Sequence, residues 1–175
     1  MMNSVEQHRK ESPSSVRCMI ITVSDTRTKQ TDSSGALLRE LLEAADYSIS
    51  AYEIVKDDYI KIQSAIRRGV DDSAVEAILL NGGTGIAKRD TTYEAVKNLL
   101  TKEMHGFGEL FRYLSFAEDI GTAAILSRAI GGVYADKAIF SMPGSSGAVK
   151  LAASRIIIPE LRHVMREIYK DAGDK

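Results

Sequence analysis

Three times in its first hundred residues the chain passes from a short apolar run to a segment with apolar side chains at helical spacing, and few folds accommodate that alternation. Cys18 to Val23 is nearly continuous in apolar, partly β-branched residues and stops at Ser24-Asp25. Leu37, Leu38, Leu41, Leu42 and Ala45 then fall on one helical face, with Asp32 and Ser33 placed to cap it. Ile49 to Val55 opens a second unit, followed by Asp57 and Asp58 at a helix start and by Ile62, Ile66 and Val70 as the buried side. Val75 to Leu80 opens a third, bounded by Gly82-Gly83-Thr84-Gly85 and leading to a helix with Val96, Leu99 and Leu100. Thr91 and Glu94 have capping-box spacing, which predicts a helix start at Thr92. Continuous apolar strands are covered on both faces, and parallel neighbours need crossover connections. The pattern therefore predicts an α/β fold of three layers, with a mostly parallel central sheet flanked by helices.

After Lys102 the rhythm changes. A glycine-bearing stretch from His105 to Gly108 precedes short helical segments near Glu109 to Phe116 and Thr122 to Arg128. Ile130 to Tyr134 and Lys137 to Met142 are separated only by Ala135-Asp136, the spacing of a small antiparallel hairpin, although the usual glycine is missing. A loop from Pro143 to Gly147 leads to a helix through Leu151 and Ala152, and another helix follows Pro159. The stripe Leu110, Tyr113 and Leu114 reads as packing. Phe107, Leu110, Phe111, Leu114 and Phe116 together exceed what a peripheral insertion usually exposes, which predicts an interface between copies.

With 175 residues, 44% of them hydrophobic, the chain can bury one core and has no room for a second. Residues 1–15 are polar and predict a loose tail, leaving 16–175 as a single domain. A balance of 23 basic against 24 acidic side chains removes the general attraction that nucleic-acid binding relies on. The single Cys18 lies within an apolar run and reads as a buried strand residue. No apolar stretch approaches the roughly 20 residues that span a bilayer, and the N-terminus lacks a signal peptide's apolar core, so the expected location is the cytoplasm.

Ligands of open parallel sheets bind beyond the carboxyl ends of the strands. The polar segments Ser24-Asp25, Asp57-Asp58, Gly82 to Asp90 and Pro143 to Ser146 fall there, joined by Asp32 to Gly35 at the first helix start. Backbone N–H groups among small residues can cradle an oxyanion, and carboxylates beside such a cradle suggest a divalent metal between protein and phosphate. Neither the Walker spacing nor the dinucleotide fingerprint occurs, and three histidines give little support for a Ser-His-Asp triad. Plainer roles stand beside these. Glycine clusters often only turn the chain, Asp57, Asp58 and Asp90 could be helix caps, with Asp58 favoured as one, and Arg89 with Asp90 could be a solvated pair.

The order and spacing of seven elements resembles the MoaB/MogA family of molybdenum-cofactor biosynthesis proteins, over nearly the whole domain from Arg17 to about Tyr169. They are T-V-S-D at Thr22 to Asp25, D-S-S-G at Asp32 to Gly35, V-K-D-D at Val55 to Asp58, N-G-G-T-G-I-A-K-R-D at Asn81 to Asp90, G-F-G-E at Gly106 to Glu109, A-I-L-S-R at Ala124 to Arg128, and M-P-G-S at Met142 to Ser145. The resemblance implies a molybdopterin-binding fold assembled as a homotrimer or a hexamer of paired trimers. It also implies a reaction, in which the terminal phosphate of molybdopterin attacks the α-phosphate of Mg-ATP to give adenylyl-molybdopterin and pyrophosphate. The molybdate-insertion protein of the pathway would be a further partner. Carried over as catalytic and Mg²⁺-holding acids are Asp57 and Asp90. Gly82, Gly83, Thr84, Gly85, Gly144 and Ser145 would supply uncharged donors, and Lys88 and Arg89 would face the departing pyrophosphate. Ser24, Asp25, Asp32, Ser34 and Glu109 enter by motif membership alone. Gly83 is expected to matter for the ligand far more than for the fold.

Lys56, Tyr93 and Ser146 stand where many adenylylating relatives have proline, which places the chain nearer the MoaB branch. Two functions follow: a molybdopterin adenylyltransferase, favoured because both acids are present, or a non-catalytic molybdopterin-binding or assembly protein, which would need the glycine cradle but could lose either acid.

Overall fold

In the computed structural model, which describes residues 13–170, the three strand-to-helix units are β1 (Arg17–Val23), α1 (Ser33–Ala44), β2 (Ser48–Val55), α2 (Tyr59–Asp71), β3 (Ala77–Asn81) and α3 (Thr92–Lys97). There follow β4 (Lys102–Glu103), α4 (His105–Glu118), a 3₁₀ turn (Gly121–Leu126), β5 (Ile130–Tyr134), β6 (Lys137–Met142) and a last helical stretch. The sheet order is β2-β1-β3-β6-β5-β4, with the first four strands parallel and β5 antiparallel to both neighbours. The expected tail falls largely on residues 1–12, outside the described residues; Val16 is already fully buried and Ser15 Oγ donates to the Asp46 carbonyl at 2.6 Å.

The apolar runs are continuous because both faces of the sheet are covered. Cys18, Ile20, Ala77 and Leu79 pack with Leu38 and Leu42 of α1, whereas Met19, Ile21, Ile78 and Leu80 pack on the opposite face with Ile62 and Ile66 of α2 and Val96 of α3. Each of the buried leucine, isoleucine, valine and methionine side chains contributes about 1.5–3 kcal/mol by leaving water. Cys18 is buried as expected, and burial pushes its thiol up to about 12.

The hairpin forms at Ala135-Asp136 without glycine, because both residues adopt left-handed backbone, with φ of 47° and 59°. That conformation matches the twist of the paired strands. Elsewhere the structure departs from expectation. The stretch from His105 to Gly108 is the first turn of α4, and Gly108 allows α4 to pack against β5, since a Cβ there would lie 2.6 Å from the Ala129 carbonyl. Strand β4 has two residues, too few for any periodicity to reveal. The last helices are contiguous: α5 (Ser146–Ala152) passes through a π turn (Ala153–Ile157) into α6 (Ile158–Tyr169). The widened turn precedes Pro159, whose ring and missing N–H disfavour an ordinary α-helical interior.

The expected aromatic patch also needs correction. Phe107 and Phe111 anchor α4 in the core at 5% and 0% exposure, so they cannot serve an interface. Leu110 and Tyr113, read as packing, are 53% and 66% exposed, and Phe116, Ile125 and Leu126 on the same helix and the turn after it are exposed as well.

Candidate active site

Helix α1 leaves β1 for one face of the sheet and α3 leaves β3 for the other, so the strand order places a crevice between the carboxyl ends of β1 and β3. Gly82 crosses it at φ 97°, its N–H donating to the Met142 carbonyl at 3.1 Å. A Cβ on Gly82 would lie 2.3 Å from the Val23 carbonyl oxygen, and one on Gly144 would lie 2.9 Å from Gly82 Cα. These glycines let three chain segments meet where side chains would hold them apart.

Asp57, on the loop after β2, reaches across this crevice to the start of α3. Its Oδ1 accepts from Thr91 N at 3.1 Å and from Thr91 Oγ1 at 3.0 Å. Thr91 therefore makes no side-chain cap for α3, contrary to the capping-box expectation, although the helix does begin at Thr92. With Oδ1 held, Oδ2 faces Gly83, where a Cβ would lie 2.6 Å from it and 2.1 Å from Thr92 Oγ1. Thr92 is fully buried and its hydroxyl has no hydrogen-bond partner. Burial pushes the Asp57 carboxyl above the usual carboxylate range; the charges of Asp90 and Asp25 push the same way, and the Thr91 donors only partly offset them.

Asp90 closes the glycine loop on itself. Its Oδ2 accepts from Ala87 N at 2.9 Å, and a Cβ on Gly85 would lie 2.5 Å from the same oxygen. Lys88 and Arg89 are exposed at the tip, beside a cavity of about 360 Å³ lined by Tyr59, Ile86, Asp90, Thr91 and Arg128. A larger cavity of about 430 Å³ lies at the β4 edge between Met104, Val133 and Ile168, remote from both acids in the fold, and its size gives it no part in this chemistry.

The other face of the crevice holds a separate polar network. Asp32 caps α1, its Oδ1 accepting from Gly35 N at 2.9 Å, while Tyr52 OH donates to Oδ2. Ser34 Oγ lies 3.1 Å from Asp32 Oδ1 and 3.0 Å from Asn81 Oδ1, and Asn81 Nδ2 donates to Thr22 Oγ1 at 2.9 Å. Burial alone would raise the Asp32 carboxyl, but donors from Thr22, Tyr52, Gly35 and Ser34 outweigh it and hold the group below its usual range. Asp32 and Ser34 are 2% and 1% exposed, so they act as supports beneath the loops, not as surface for a ligand.

The remaining sequence candidates divide. Ser24 folds its own turn, accepting from Arg27 N at 3.2 Å, and Asp25 Oδ1 accepts from Asp57 N at 3.3 Å, which brings it to the site. Thr84 is buried in the loop. Ser145 caps α5 through Ala148 N at 3.2 Å, and Asp58 caps α2 through Lys61 N at 2.9 Å, as expected. Glu109 is not brought to the acids; it lines a different cavity with Tyr93, Lys97 and Arg112. Thr22, Tyr52, Asn81 and Thr91 were missed as supports, although Asn81, a polar residue ending an otherwise apolar strand beside Gly82, was a readable signal. Arg128 stands out in the sequence only as the end of A-I-L-S-R.

Residues 19–163 match the family model described as "Probable molybdopterin binding domain". The chain belongs to the MoaB/MogA family. It is 70% identical over 96% of its length to molybdenum cofactor biosynthesis protein B of Halalkalibacterium halodurans, covering 99% of that protein, and 58% identical over the same share to the protein of that name from Bacillus subtilis, again covering 99% of it. Among solved structures, MoaB from Pyrococcus furiosus, described as a tungsten cofactor synthesizing protein, superposes with a TM-score of 0.80 at 35% identity, covering 90% of this chain and 99% of that one. A MogA structure superposes at 0.78 with 27% identity, covering 87% and 99%. The higher identities lie on the MoaB side, in keeping with Lys56, Tyr93 and Ser146. The role of the chain is in molybdenum cofactor biosynthesis. Among the described residues no helix is long and apolar enough to cross a membrane.

Proposed function

We propose that this chain binds molybdopterin at the β1–β3 crevice and adenylylates it with Mg-ATP. A terminal phosphate oxygen of molybdopterin forms a bond to the α-phosphorus of ATP, the bond from that phosphorus to the bridging oxygen breaks, and pyrophosphate leaves with the bond electrons. The observation that carries the reading is the Asp57 carboxylate, fixed through one oxygen by Thr91 and facing Gly83 with the other. Two phosphates and two acids bring together negative charges, so the protein's task is alignment and neutralisation.

Asp57 and Asp90 suit Mg²⁺ as a donor set. Among the described residues no group of three His, Cys, Asp or Glu side chains could hold a metal alone, and Mg²⁺ commonly takes one or two carboxylates plus substrate phosphates. The upward shift of Asp57, caused in part by Asp90 and Asp25, marks negative charge there that a cation would relieve. When bound, Mg²⁺ would supply charge neutralisation between the phosphates. Thr91 keeps Asp57 aimed, Gly82 to Gly85 would let backbone approach a phosphate, and Lys88 and Arg89, exposed at the loop tip, would meet pyrophosphate. Purified protein with molybdopterin, ATP and Mg²⁺ should yield adenylyl-molybdopterin and pyrophosphate. Tight molybdopterin binding without pyrophosphate would reduce the function to binding, and no binding would refute both.

The exposed Leu110, Tyr113, Phe116, Ile125 and Leu126 support assembly of this chain as a trimer or a pair of trimers, with the pathway's molybdate-insertion protein as a further partner. Light scattering should give a mass three or six times that of the chain. A monomer at micromolar concentration would overturn the assembly.

A further inference from the structure

Arg128 sits between the 3₁₀ turn and β5 and divides its guanidinium between the glycine loop and Glu94. Nε donates to the Thr84 carbonyl at 2.9 Å, and Nη2 donates to the Gly85 carbonyl at 2.6 Å and reaches the Asp90 carbonyl at 3.4 Å. Glu94, in the first turn of α3, accepts from Nη1 and, at 3.3 Å, from Nη2. The guanidinium also lies 5.1 Å from the centre of the Tyr93 ring. Glu94 answers in kind: its carboxyl is held below its usual range, because the Arg128 hydrogen bonds and charge outweigh what burial it has.

The consequence for the loop follows from peptide geometry. In a trans peptide the C=O and the following N–H point in opposite directions, and the described chain has no cis peptides. Drawing the Thr84 and Gly85 carbonyls onto Arg128 turns the N–H groups of Gly85 and Ile86 away from it. Holding the Asp90 carbonyl as well fixes the far end of the same loop. A single lysine ammonium could not grip all three oxygens and Glu94 together, whereas a planar fork of five N–H donors can.

We propose that Arg128 is a positioning residue for this site: locked by Glu94, it sets the orientation of the Gly85 and Ile86 amides and the place of Asp90, and thereby the affinity for a phosphate-bearing ligand. The part that concerns the ligand rests on the molybdopterin reading; the part that concerns the loop does not. The test uses the full chain with Arg128→Ala and Arg128→Lys, the lysine variant serving alone if the alanine variant does not fold. Backbone NMR relaxation should show the amides of residues 85–90 falling from order parameters of about 0.85 toward 0.6, with β1 and β3 unchanged. Molybdopterin affinity should fall about tenfold or more in both variants, and added guanidinium should restore part of it in the alanine variant. An unchanged loop in a folded variant would overturn the proposal, as would a loosened loop with unchanged molybdopterin affinity. If the wild-type protein binds no molybdopterin, it is the functional reading that fails, and relaxation of residues 85–90 alone decides whether Arg128 is the clamp.

Discussion

Gly83→Val should fold poorly or not at all, losing about 3–5 kcal/mol of stability. Two costs add. Gly83 has φ of 63°, a region that a β-branched side chain resists strongly, and the new Cβ would lie 2.1 Å from Thr92 Oγ1 and 2.6 Å from Asp57 Oδ2. Thr92 is fully buried in the first turn of α3 and has nowhere to retreat. Urea unfolding of the variant measures the sum, and Thr92→Ala in the Gly83→Val background should recover the share that belongs to the hydroxyl overlap. A midpoint close to wild type would show that the loop can be rebuilt around a side chain. The sequence suggested the opposite weighting, with Gly83 chiefly a ligand residue; the left-handed backbone and the packed Thr92 make it a residue of the fold as well.

Asp57→Asn should remove about 10²–10³ of the proposed adenylyl transfer while raising the thermal midpoint of the ligand-free protein at neutral pH. An amide oxygen can still accept from Thr91, so the geometry survives; the charge does not. The stability effect has a definite sign. The folded Asp57 carboxyl has its pKa raised above the ordinary 3.8, so its contribution is favourable below that value and is lost as pH rises through the folded pKa. At neutral pH the ionised group opposes folding, and the advantage of asparagine should vanish below about pH 4. Asp32 runs the other way: its lowered pKa contributes stability above the ordinary range and loses it as pH falls through the folded value. Melting curves of wild type and Asp57→Asn from pH 3 to 8 test the sign. A variant less stable than wild type at pH 7 would mean that the carboxylate charge supports the fold.

Much of the fold was legible because burial on both faces of a parallel sheet leaves apolar runs that need no partner information to recognise. Cys18 to Val23 and Val75 to Leu80 are of that kind, and the hairpin could be read from the spacing of its strands. Features that depend on a distant partner were not legible. Thr91 and Glu94 have the local pattern of a capping box, yet the Thr91 hydroxyl serves Asp57, which is remote in sequence, and the Glu94 carboxylate serves Arg128. Strand β4 exists because β5 offers it an edge. The candidate acids could be found from motif and position, but their division of labour could not. Asp32, Asp57 and Asp90 are each an aspartate beside a glycine-containing or polar loop, and only their neighbours in space tell a buried cap from a carboxylate turned toward the crevice.

The two hydrogen-bonded groups at the strand ends are mounted on opposite sides of the sheet. Thr22, Asn81, Ser34, Asp32 and Tyr52 lie toward α1, while Asp57 and Thr91 lie toward α2 and α3. Substitutions at sites that share no partners usually act additively. Descendants of this chain could therefore exchange Asp57 for asparagine without disturbing the scaffold around Asp32, and could gain stability by doing so. Folding asks of position 57 only an oxygen that accepts from Thr91, which an amide also supplies, so the charge itself would be kept by selection on the proposed reaction, and a lineage relieved of that reaction would be expected to drift toward a neutral acceptor there.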